Sequence, residues 1–242
     1  MSQHQAGTHW LKYMLANALS DHYALPPPEF NHANDIIGGP KDEVVHQHIP
    51  RIISSHSIPP IVAAQLVRHK LLHLPQYILL VRDIRASLVS NYRKWQARYE
   101  LNFSDFLRGD PAGHRFNSDI WWSIRFVNAW GKMLRAHEGK IIVVHYEKLL
   151  VNPHAELSRI NTFLALPLTA DNIQTGINAA TKQEMIAKAD PERPPGEVNK
   201  ETVDVFSWFD SDDRRFFENH CNRFLKTTFN YDYGVWEFQQ AP

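Results

Sequence analysis

Apolar positions along the chain fall into two kinds of pattern. From Thr8 to Leu19 they recur at Leu11, Met14, Leu15, Ala18 and Leu19, one face of a 3.6-residue repeat, and predict a helix. Tyr77-Ile78-Leu79-Leu80-Val81 is instead a continuous apolar run, and Ile141 to Tyr146 is a second. Such runs fit strands covered on both faces, as in a parallel sheet. Asp83 is placed to cap a helix running to about Trp95. Asp119 to His137 reads as a long aromatic-rich helix, and Asp210 to Leu225 as the last one. Asn152-Pro153 caps and opens a helix to about Leu164. Pro59 and Pro60 open another to about Leu72, and Ile49 to Ser54 is a short candidate strand. Residues 20–48 form a long irregular segment in which Pro26-Pro27-Pro28 forbids helix. Residues 100–118 read as loop and short helix, and 188–205, with Pro194-Pro195-Gly196, as loop. Strands alternating with helices predict an α/β fold: one domain over residues 1–242, with a mostly parallel sheet flanked by helices. Ligands in such folds sit where strand C-termini meet helix N-termini.

Composition narrows the class. The 242 residues are 43% hydrophobic and 21% charged, a globular balance. Formal net charge is zero, which argues against bulk nucleic-acid binding. Cys221 is the single cysteine, so no disulfide framework exists and a reducing compartment fits. Apolar runs are too short to span a bilayer, and the polar start lacks an apolar signal region, so a cytoplasmic location is expected.

Chemistry gathers at three strand-to-helix junctions. In Gln5-Ala6-Gly7-Thr8-His9-Trp10 a glycine allows a tight turn into a helix N-terminus, whose free N–H groups suit a phosphate or sulfate. Thr8 adds a hydroxyl donor and Trp10 a stacking face; a plain helix cap with a core tryptophan is the other reading. His56 follows a strand end and precedes a proline-led helix, where it points into a cleft or is one of 14 ordinary histidines. Arg82 ends a buried strand, and Ser90 lies two helical turns on. An arginine there requires an anion or a structural ion pair.

Together these stretches resemble the sulfotransferases that use 3′-phosphoadenosine 5′-phosphosulfate (PAPS). The family's first loop reads P-K-S-G-T-T-W-L, against His4-Gln5-Ala6-Gly7-Thr8-His9-Trp10-Leu11 here. Its second reads R-x-I-K-T-H-x-P, against Arg51 to Pro59, one residue longer before the proline. Its third reads R-D-P-R-D-x-x-x-S-x-Y, and Arg82, Asp83, Arg85, Ser90 and Tyr92 keep that pattern. Val144 to Leu149, Asn152-Pro153 and Ile160 to Leu164 are similar to its Y-E-D-L…P…I-x-x-F-L segment.

The resemblance implies a P-loop-like α/β domain and a metal-free sulfuryl transfer. By position, Gly7, Thr8, His9 and Trp10 would hold the 5′-phosphosulfate, with Trp10 also stacking on adenine. Arg82 and Ser90 would grip the 3′-phosphate, Tyr146 would lie by the adenine, and Arg193 is a candidate for a late 3′-phosphate loop. His56 would be the general base, a role suited to a pKa near working pH. The acceptor would be a hydroxyl or amine of a small molecule or carbohydrate, and desulfonated PAP the nucleotide product. His69 and His73 share a helix face, but no Glu follows His69, and no metal is expected. Aromatics Trp121, Trp122, Phe126 and Trp130 read as core.

Two cations of the pattern are replaced: the loop lysine by Gln5 and the lysine before the base by Ser54. Met1 to Gln5 do not read as the buried strand that should feed the loop, so the start reads as truncated or degenerate. A sheet missing that strand is expected to expose its edge. The readings are therefore an active sulfotransferase or a degenerate member that binds PAP, PAPS or a partner without efficient turnover. A Mg-nucleotide kinase is disfavoured, since G-x-x-x-x-G-K-[ST] is absent.

Overall fold

A computed structural model describes residues 1–72, 74–192 and 204–237. In chain order the helices are α1 (Thr8–His22), α2 (Ala63–Arg68), α3 (Ile84–Tyr99), α4 (Phe103–Arg108), α5 (Ile120–Ala136), α6 (Tyr146–Val151), α7 (Pro153–Leu164), α8 (Ala170–Ala179), α9 (Lys182–Ala187) and α10 (Ser211–Phe224). A short 3₁₀ turn covers Phe206–Trp208. The strands are β1 (Tyr77–Val81) and β2 (Ile141–His145), paired in parallel, with Tyr77 N donating to Lys140 O at their start. The fold is α/β, a parallel sheet flanked by helices.

Local chemistry explains most boundaries. Asp83 accepts from Arg85 N at the start of α3, and Asp119 from Trp122 N at the start of α5. Asn152 accepts from Ala155 N, with Pro153 in the first turn of α7. The candidate strand at Ile49–Ser54 does not form; Ile53 makes a lone parallel bridge to Gly38. Among the described residues, no partner strand extends the pairing at Ile52 and Ile53. The helix expected to open at Pro59 and Pro60 and run to about Leu72 contracts to Ala63–Arg68, and Leu71 and Leu72 lie beyond its end.

Contacts gather into two compact units. The first holds Met1–Ser2, Gly7–Ser55 and the chain from Val144 through α9. Its centre is α1, buried from Leu11 to Ser20 and packed on α8. Gly176 permits that packing: a Cβ there would stand 2.3 Å from Met14 O. The second holds Gln3–Ala6, His56–Val143, the 3₁₀ turn and α10. Its core runs along α5, where Phe126 and Trp130 are 0% and 2% exposed, in agreement with their reading as core. Trp122 stacks on Phe126 at 5.0 Å, so the aromatics at i and i+4 form a ladder.

Arg85 is the largest fully buried polar side chain of this unit. Asp83 holds it at 2.6 Å, and it donates to the carbonyls of Val235 (2.5 Å) and Asp232 (3.2 Å). The rings of Phe206, Tyr233 and Trp236 close around the guanidinium at 4.9–5.4 Å.

The chain's start is better integrated than its composition implies. Ser2 N donates to Ser55 O in the first unit, and Gln3 N donates to Leu80 O in the second. Both residues are buried, Gln3 completely. A stub of backbone thus makes ladder bonds that a longer strand was expected to make, and those groups are not left exposed.

Candidate active site

In the first unit, Gly7 caps α1 at φ +83°, ψ 27°, a left-handed conformation that glycine adopts at no steric cost. No side chain caps this helix, and its first amides face the turn. A Cβ on Gly7 would stand 2.7 Å from two ring atoms of Tyr146, so glycine is required by contact as well as by conformation. Trp10 meets the same tyrosine edge-to-face, ring centroids 6.2 Å apart, and its indole N–H donates to Ala180 O at 2.9 Å. The structure therefore brings Gly7, Trp10 and Tyr146 together. Thr8 hydroxyl, expected to face an anion, donates instead to Ser2 Oγ at 2.8 Å. His9 is exposed on the first turn.

In the second unit, the turn Gln3–Ala6 is closed by Ala6 N donating to Gln3 O. Arg82 follows β1, and its main-chain N donates to Gln3 Oε1 at 3.3 Å. Its Nη1 donates to Gln5 O at 2.8 Å. Ser90, half-buried on α3, donates to Gln5 Oε1 at 3.5 Å. Arg82 and Ser90, set apart in sequence, thus meet at one residue, which itself takes a positive φ of 60°.

His56 lies in this unit too. Its ring stacks on that of His4, centroids 4.0 Å apart and planes 19° from parallel. His4 meets Trp122 of α5 edge-to-face at 4.5 Å. Burial, helped by the neighbouring His56 and by Lys94, pushes the His4 imidazole down to about 4. The indole N–H of Trp130 donates to Ser57 O at 3.0 Å, tying the backbone beside His56 to the same helix. Sequence reading missed His4, Trp122 and Trp130 as supports of His56. Helical spacing marked the tryptophans as core, but nothing local signals a stack between residues 4 and 56.

Arg193 and His73 lie outside the described residues. Among the described residues, no cluster of three or more His, Cys, Asp or Glu is arranged to hold a metal. No described helix is long and apolar enough to cross a membrane.

A glycine turn entering a helix lies in the first unit and a parallel strand followed by arginine in the second, within an α/β fold. The crystal structure of mouse sulfotransferase SULT7A1 complexed with PAP shares that fold, with a TM-score of 0.64 at 15% identity, over 94% of this chain and 83% of that one. Residues 2–201 match the sulfotransferase domain, and the chain belongs to that family. Sulfotransferase 6B1 of Danio rerio is 23% identical over 154 residues, which is 60% of this chain and 48% of the relative. The chain spans about half the length of that curated relative.

Proposed function

We propose that this chain transfers a sulfuryl group from PAPS to a hydroxyl or amine of a small-molecule or carbohydrate acceptor. The observation that carries the proposal is the meeting of Arg82 and Ser90 at Gln5. A guanidinium and a hydroxyl directed at one loop residue are suited to a shared anion, and the 3′-phosphate is the group that separates PAPS from ordinary adenine nucleotides. Gly7, Thr8, His9 and Trp10 are assigned to the 5′-phosphosulfate. For Thr8 the main-chain N–H is the group assigned, because its hydroxyl is committed to Ser2. The tight Gly7–Tyr146 contact and the neighbouring Trp10 ring supply the apolar faces an adenine requires. Arg193 is assigned to the 3′-phosphate by its place in the motif alone.

His56 is the general base. It takes the proton from the acceptor while the acceptor atom forms its bond to sulfur. The bond between sulfur and the phosphate oxygen breaks, and its electron pair leaves with PAP. The main-chain amides of the Gly7 turn are assigned to the charge that builds on that oxygen.

One observation favours a second reading, in which the chain binds PAP without efficient turnover. Gln5 replaces the loop lysine with a neutral side chain, and both its carbonyl groups are engaged by Arg82 and Ser90. Thermal shift and sulfate-transfer assays separate the two. PAP should stabilise the chain where 5′-AMP does not, and labelled sulfate from PAPS should appear on at least one member of a panel of phenols, alcohols, amines and sugars. Equal shifts with both nucleotides overturn the 3′-phosphate assignment; a PAP-specific shift without transfer selects the second reading.

A further inference from the structure

We propose that His4 is a positioning residue for His56, holding the base's imidazole in one plane through a face-to-face stack. The proposal rests on the reading of His56 as the base. His4 stands where the resembled loop has a proline, so this support is a feature of the present chain.

Three observations carry it. The two rings are nearly parallel at 4.0 Å, close enough to fix the tilt of a side chain that is otherwise only half-buried. His4 is itself seated against Trp122, which stacks on Phe126, a fully buried member of the α5 ladder. The stack is therefore anchored in core rather than in a second loose loop. The backbone on the other side of His56 is tied to the same helix by the Trp130–Ser57 hydrogen bond. Helix α5 thus restrains His56 from two directions, once through a ring and once through a carbonyl.

The charge on His4 matters as much as its shape. Its titratable and charged neighbours are His56, from the segment before α2, and Lys94, from α3; α5 faces it with Trp122, which does not titrate. Burial above all, and then the electrostatic influence of His56 and Lys94, opposes a proton on His4. His4 thus stays neutral while the proton taken from the acceptor resides on His56. A neutral ring offers its π-face to the imidazolium, whereas a charged one would repel it. His4 takes no part in the proton transfer.

The test compares His4→Ala, His4→Phe and His56→Ala in the full chain, with PAPS and whichever acceptor of the phenol, alcohol, amine and sugar panel turns over fastest. His4→Ala should lower kcat about tenfold, while the KM for PAPS stays within about twofold, since misorienting a base raises the barrier without weakening nucleotide contacts. His4→Phe keeps a flat neutral ring and should restore kcat to within about twofold of the parent. If His4→Ala does not fold, His4→Gln against His4→Phe makes the same comparison. Unchanged kcat in the ringless variant, with His56→Ala inactive, overturns the positioning role and leaves the base standing. A loss that His4→Phe fails to rescue also overturns it. Turnover retained by His56→Ala, or absent from the parent chain, overturns the base reading and this proposal with it.

Discussion

The Gly7 turn and the Gln3–Ala6 turn are neighbours in sequence, yet they are held by different physics. Around Gly7, shape holds the chain: a glycine against a tyrosine ring, a tryptophan at that ring's edge. Around Gln3–Ala6, polar and stacking contacts hold the chain. One turn thus rests on a steric fit, and the other on side chains drawn from β1's end, α3 and the segment before α2.

The largest effect should fall on chemistry. His56→Ala should cut sulfate transfer by roughly 10²–10⁴-fold, measured with labelled PAPS, while calorimetric binding of PAP is unchanged. A loss of PAP affinity in that variant would tie His56 to the nucleotide and blur the distinction. Next comes Arg82→Ala. Removing a charge-assisted contact should weaken PAP by about 2–3 kcal/mol and leave 5′-AMP binding as it was. Weakening of both nucleotides alike would mean that Arg82 serves the turn through Gln5 O rather than an anion.

Gly7→Ala tests the shape-held side. The added Cβ meets the Tyr146 ring at 2.7 Å on a backbone at φ +83°, so unfolding free energy in urea should fall by about 1–3 kcal/mol. The polar side predicts the smallest effect. His4 has its pKa lowered in the folded chain, so the unfolded chain binds the extra proton first. Its contribution is fully present above the unfolded value of about 6.5 and declines as pH falls toward about 4. His4 is not fully buried, so the decline should amount to about 1–2 kcal/mol, and His4→Phe should flatten it. Equal acid sensitivity in both chains would remove His4 from the account.

What could be read in the sequence was what is local. Asp83, Asp119 and Asn152 announce their helices by side-chain caps within three residues, and β1 by an unbroken apolar run. Helices α8 and α9 went unread although each carries a cap of the same kind. Thr169 and Asn172 make a reciprocal capping box, and Thr181 accepts from Glu184 N. Helix α6 gave no such signal, since it follows β2 directly from His145 without a side-chain cap. The failures at Ile49–Ser54 and at the His4–His56 stack share one cause: a strand needs a partner and a stacked ring needs a second ring, and neither is written in its own neighbourhood.

The Arg85 clasp ties the far end of the described chain to the first turn of the helix that bears Ser90. A purification handle grafted in place of Asp232–Trp236 would strip two rings and two carbonyls from a guanidinium that is only 2% exposed. Nucleotide affinity would then fall through an edit made more than a hundred residues away from the serine it disturbs.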